Sequence, residues 1–256
     1  MTDVAAKTPE ADPFARLRAM TPARVALGRS GPGLPTDAML AFQRDHALAR
    51  DAVHAAFDPE SVATQLAGLP TVIVASGASD RAAYLRRPDL GRRLADGDRA
   101  RLDPGDWDLV IVVADGLSAT AAHAHAAPLV LSLGARLPGW RIGPVVLASM
   151  ARVALGDEIG GRLGARMVLM LIGERPGLSA PDSLGAYLTW NPAVGRLDSE
   201  RNCVSNIRPP HGLGYGAAAD ALCWLMTSAR TLGLTGVALR NDEGLAWSVG
   251  NTPPLA

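Results

Sequence analysis

The chain has 256 residues, 48% of them hydrophobic and 20% charged, with 25 Lys and Arg residues against 25 Asp and Glu. A chain of this length buries roughly 70–75% of its unfolded surface, as one large domain or a core with a smaller companion. The formal net charge of zero leaves no surplus of cations to neutralise phosphates, which argues against a general nucleic-acid or anionic-membrane binder.

Residues 1–11 are small and polar without periodicity, and read as a frayed leader. Asp12 followed by Pro13 opens a short helix to about Met20. A Gly/Pro-rich connection, Arg24 to Pro35, leads to Thr36, after which Met39, Phe42, His46, Ala49, Val53 and Phe57 recur at helical spacing. That stripe predicts an amphipathic helix over 37–57 with His46 packed on its apolar face. Asp58-Pro59-Glu60 opens another short helix to about Leu66. Thr71–Ser76 is a possible strand and Tyr84–Leu94 an arginine-rich stretch, so residues 1–100 form a mostly helical N-terminal region.

The pattern changes at about residue 101. Asp108–Ala114 is a continuous apolar run, as expected of a strand buried on both faces. Ser118–Leu137 reads as an Ala-rich helix broken or kinked at Pro128. Val145–Ala148 and Met167–Ile172 are further strands, Gly156–Leu163 a short helix, Ala186–Trp190 a possible strand and Gly216–Leu232 a closing helix. Strands alternating with helices predict an α/β domain over 101–240, a parallel sheet with helices on both faces. Residues 241–256 read as a flexible tail.

In an open parallel sheet, ligands bind past the carboxyl ends of the strands. Three loops fall there: Ala114–Ser118, Arg152-Val153 and Gly173–Leu178. Each carries charge, and the first and last carry glycines that let backbone approach a ligand. A plainer alternative stands beside this: Asp115 and Ser118 cap a helix while Glu174 and Arg175 pair with each other. The only lysine is Lys7, so phosphate-loop and Schiff-base lysine chemistry have no candidate on a rigid element. His123 and His125, two apart on a helix, point to different sides and do not chelate one ion. Cys203 and Cys223 make neither a disulfide framework nor a zinc quartet, and no run of about 18 apolar residues marks a membrane span. The expectation is a soluble, cytoplasmic ligand-binding domain without an evident catalytic acid or base; a self-contained α/β enzyme acting on a nucleotide or sugar, and a cofactor-free scaffold, are the alternatives.

Five blocks add to this reading: RVALGRSGPG (24–33), YLRRPDLGRRL (84–94), ADGLS (114–118), GGRLGARMVLMLIGERPGL (160–178) and RNCVSNI (201–207). Together, and in this order, they resemble the light chain of ethanolamine ammonia-lyase. The resemblance implies a Rossmann-like α/β domain after a helical region, adenosylcobalamin as cofactor with its cobalt held in the corrin, and a large barrel-shaped subunit that holds the substrate ethanolamine. It implies a radical conversion of ethanolamine to acetaldehyde and ammonia, with this chain clamping the cofactor, and is compatible with enclosure in a bacterial microcompartment. The family's cofactor contacts, carried over position by position, fall on Val153, Glu174 and Cys203. No catalytic residue and no protein ligand to a metal are carried over, and neither nucleic acid nor membrane is implied as a partner.

Overall fold

Two strands of the sheet are apolar at nearly every position, and a strand of that kind is stable only where both faces are covered. In the computed structural model, which describes residues 12–21 and 23–239, they lie at the centre. The strands are β1 (Thr71–Ala75), β2 (Trp107–Ala114), β3 (Val145–Ser149), β4 (Ala165–Gly173), β5 (Leu184–Trp190) and β6 (Arg201–Ile207). They form one sheet in the order β1-β3-β2-β4-β5-β6. The expected leader (1–11) and tail (241–256) lie outside the described residues.

The first four strands in that order run parallel, while β4–β5 and β5–β6 are antiparallel. The sheet is therefore mixed, where the alternation of elements predicted a parallel one. A parallel neighbour needs a crossover, usually a helix, but Gly173 reaches Leu184 and Trp190 reaches Arg201 through short connections without an α-helix. The polar RNCVSNI block forms β6, an edge strand.

Side-chain alternation splits the interior in two. Leu109, Ile111 and Val113 of β2 face helices α3 (Pro59–Gln65), α5 (Ala119–Gly134) and α7 (Tyr215–Leu232), while Val110, Val112 and Ala114 face α6 (Leu155–Arg162) and the segment around Leu94 and Leu102. Local signals placed several of these elements. The Asp58 carboxylate accepts from Ser61 N at 3.0 Å to cap α3, and Ser118 Oγ accepts from Ala121 N at 3.2 Å to cap α5. Pro128 does not break α5. It has no N–H to offer Ala124, and the Tyr215 hydroxyl stands 3.5 Å from that orphaned carbonyl.

The N-terminal part departs from expectation. Helix α1 covers Ala15–Ala19 and α2 Thr36–His54, but of α2 only Ala52 is buried. Met39, Leu40 and Phe42 are exposed, and His46 is exposed as well, stacked on Phe42 and not packed in a core. The stripe has helical spacing, but only its C-terminal end is covered: Phe57 packs on the core and stacks on His123, while Met39, Phe42 and His46 stay exposed, with Arg24 over the Phe42 ring. Helix α4 (Arg81–Arg86) follows β1, capped by Asp80, whose carboxylate accepts from Ala83 N at 2.8 Å. Among the described residues no helix is long and apolar enough to cross a membrane.

Candidate functional site

Strand β2 has β3 on one side and β4 on the other, and the helices that follow β2 and β3 pack on opposite faces. A crevice opens where the loops leaving adjacent strands part in this way. It forms a cavity of about 480 Å³ lined by the loops after β2, β3 and β4, with one tyrosine from α4 and one from β5. All three loops singled out from the sequence therefore meet.

Two glycines let the β2 and β4 loops touch. A Cβ on Gly116, whose φ is +53°, would lie 2.3 Å from the Gly173 carbonyl oxygen. A Cβ on Gly173 would lie 2.0 Å from the Ser118 carbonyl oxygen. Leu117 N donates to Gly173 O at 2.9 Å and locks the contact.

An ion pair braces the β2 loop from behind. Arg81 Nη1 donates to Asp115 Oδ2 at 2.8 Å and to Gly116 O at 2.9 Å, while its Nε donates to Val53 O at 2.7 Å. Asp115 is buried, and that desolvation pushes its carboxyl up to about 6 against the pull of Arg81 and of backbone N–H groups, Ala151 first. The Ala151 N–H donates to Asp115 Oδ1 at 3.3 Å, and its carbonyl accepts from the Tyr84 hydroxyl at 2.9 Å. Residue 151 is thus held at both polar ends, directly after Met150, a non-glycine residue at φ +53°. This anchors the loop that carries Arg152 and Val153.

Ser118 caps its helix as the plainer reading held, and also donates to Pro181 O at 2.8 Å. Asp115 does not cap; it binds Arg81 and Ala151. Glu174 does not pair with Arg175. Its Oε2 accepts from Ser183 Oγ at 2.5 Å and from Asn206 N at 3.3 Å, and among the described residues Oε1 accepts no hydrogen bond.

Val153 and Glu174 both stand on the cavity wall. Cys203 does not. It pairs with Tyr187 across β5 and β6, so the two side chains share a face, and Tyr187 is the residue that reaches the wall. Although Cys203 is exposed as a residue, protein crowds its sulfur; this desolvation, with the nearby Glu174 charge, pushes the thiol up against a hydrogen bond from Tyr187. Cys203, Ser205 and Asn206 stay exposed, so the sheet beside the cavity is open.

Sequence reasoning missed Tyr84 and Tyr187. Tyr84 opens one of the five quoted blocks, a signal that was available; Tyr187, inside an ordinary apolar strand, offers none. The two histidines of α5 diverge as their spacing required. His123 Nε2 accepts from Asp58 N at 2.9 Å, whereas His125 Nδ1 meets the Tyr215 hydroxyl at 2.8 Å. Both cysteines are free. Among the described residues no group of three or more His, Cys, Asp or Glu side chains is placed to hold a metal ion.

Residues 11–240 match a family profile described as ethanolamine ammonia-lyase light chain (EutC). The chain is 53% identical to a protein of Ralstonia nicotianae named ethanolamine ammonia-lyase small subunit, over 94% of this chain and 93% of that protein. Proteins of the same name from Pseudomonas fluorescens (strain SBW25) and Pseudomonas putida (strain KT2440) are 50% and 53% identical, over 95% and 96% of this chain and 91% and 93% of theirs.

Proposed function

The chain belongs to the ethanolamine ammonia-lyase light-chain family, and on that footing we propose that it forms one wall of the adenosylcobalamin site of the lyase and works only when joined to the large subunit. The observation that carries the proposal is the cavity at the carboxyl ends of β2, β3 and β4, with Val153 and Glu174 on its wall and Cys203 on the open sheet beside it. A cavity of about 480 Å³ with an exposed sheet next to it suits a broad, flat macrocycle that sends one substituent inward.

The residues suit the group. Corrin carboxamide arms offer N–H donors, and Glu174 presents a carboxylate oxygen without a donor among the described residues, held in place by Ser183 and Asn206 at the other oxygen. Val153 offers a small apolar face on a loop fixed from both sides. Cys203 leaves room on the flat sheet where a larger side chain would stand proud.

The chemistry the bound cofactor supplies is homolysis of its cobalt–carbon bond, which starts the radical deamination of ethanolamine to acetaldehyde and ammonia. This chain's part is to orient the corrin and exclude water from that face. The residues that hold the substrate belong to the large subunit.

The test is to express the chain alone and with the large subunit and to measure ammonia release with added adenosylcobalamin. Activity from the pair only is expected; activity from the isolated chain would overturn the proposal. Glu174→Gln keeps an oxygen but loses the charge, a difference of about 1–2 kcal/mol, so the assembled variant should bind cofactor roughly 5–30-fold more weakly. An unchanged titration would remove Glu174 from the site.

A further inference from the structure

We propose that Arg152 and Arg175 bind the phosphodiester of the cofactor's nucleotide tail, the one anionic substituent on a molecule otherwise rimmed by neutral carboxamides. The inference rests on the cofactor reading above and goes beyond it by assigning which part of the ligand enters the cavity.

The charged residues lining the cavity are Arg152, Glu174 and Arg175, so its wall carries one positive charge in excess, the complement of a single phosphodiester. Arginine elsewhere in this fold is largely matched with carboxylate. Arg81 is spent on Asp115, Arg201 on Asp157 and Arg208 on Asp182. Neither wall arginine has such a partner among the described residues. Arg175 is exposed and makes no hydrogen bond or ion pair there. Arg152 Nε is buried without an acceptor, and its Nη2 reaches only the Tyr84 carbonyl oxygen at 3.4 Å. A guanidinium partly stripped of water and left unpaired is costly unless an anion arrives to meet it.

The protein also fixes Arg152 in place before any ligand is present. Its guanidinium lies 4.3 Å from the centre of the fully buried Tyr84 ring, and that ring is pinned through its hydroxyl to Ala151 O. The backbone of Arg152 donates to Gly91 O at 2.7 Å, and Gly91 itself leaves the space through which the arginine stem runs, since a Cβ there would come within 2.8 Å of Arg152 Cγ. A planar fork held on a ring is the form in which arginine reads phosphate oxygens.

The measurement is binding to the assembled light and large chains, followed by absorbance titration, with cobalamin and with cobinamide, which lacks the nucleotide tail and its phosphodiester. Arg152→Met and Arg175→Met should each weaken cobalamin binding tenfold or more and leave cobinamide binding within about twofold. Arg152→Lys, which keeps the charge but loses the fork, should fall between. Equal losses for both ligands, or no loss for either, would overturn the assignment. Saturation by inorganic phosphate that leaves cobalamin affinity unchanged would overturn it too, making the pair a site for a free anion. If wild-type complex binds neither corrinoid, the cofactor reading fails and this inference with it; that outcome is distinguishable because it appears before any variant is made.

Discussion

Gly173→Ala probes the tightest glycine position among the described residues. The added Cβ would sit 2.0 Å from the Ser118 carbonyl oxygen and 2.4 Å from that of Asp115, where real Cβ contacts stay above 3.0 Å. Both obstacles are backbone and cannot rotate aside, so the β2 loop must retreat by about 1 Å. Overpacking of this kind costs typically 1–3 kcal/mol and occasionally more. Losing the Leu117 N to Gly173 O bond adds about 1 kcal/mol. We expect a net destabilisation of about 2–4 kcal/mol, read as a fall of roughly 5–10 °C in the unfolding midpoint for a chain of this size. The neighbouring Glu174 moves with the strand end, so under the proposed function cobalamin affinity of the assembled complex should drop as well. Gly156→Ala is the control: in α6 its Cβ meets nothing nearer than 3.6 Å, and alanine is favoured over glycine in a helix by about 1 kcal/mol. That variant should unfold a few degrees higher. Thermal unfolding followed by circular dichroism, with urea unfolding as a second measure, decides the matter. A Gly173→Ala midpoint at or above wild type would refute the claim that glycine packing sets the crevice.

Two further outcomes are expected. Arg201 and Asp157 form a fully buried bidentate pair at 2.6 and 2.7 Å, so Arg201→Met alone should cost about 3–5 kcal/mol while Arg201→Met with Asp157→Leu recovers most of it; additive losses in the urea cycle would contradict this. Asp115 titrates near 6 in the folded chain against 3.8 as its ordinary value, so the folded state holds the proton more tightly. Its contribution is fully present below about pH 4 and is lost as pH rises through 6, a change on the order of 2–3 kcal/mol. Relative to wild type, Asp115→Asn should therefore gain stability between pH 4 and 7, and a pH-independent difference in midpoint would count against the buried carboxylate.

Much of the site was legible because it depends on local pattern. The buried runs of β2 and β4 announced central strands, and their following loops, with Gly116, Gly173 and Glu174, had to fall at the ligand-binding end. The caps at Asp58 and Ser118 were equally local. The stripe of α2 had a helical period, but period says only that a face exists and not what covers it. RNCVSNI lacked an apolar alternation to mark it as β6, since an edge strand buries little.

What the sequence by itself determined is the set of strongly periodic elements, the loops that carry charge past their ends, and, through five ordered blocks, the family. What only the tertiary structure decided is which groups meet across long separations: Arg81 with Asp115, Tyr84 with Ala151 and Arg152, Arg201 with Asp157, Cys203 with Tyr187. Helix and strand formation are settled by spacings of two to four residues along the chain. Ion pairs, ring contacts and the antiparallel turn of β5 and β6 are settled by which surfaces the burial of the two apolar cores brings together, and no short-range pattern encodes that.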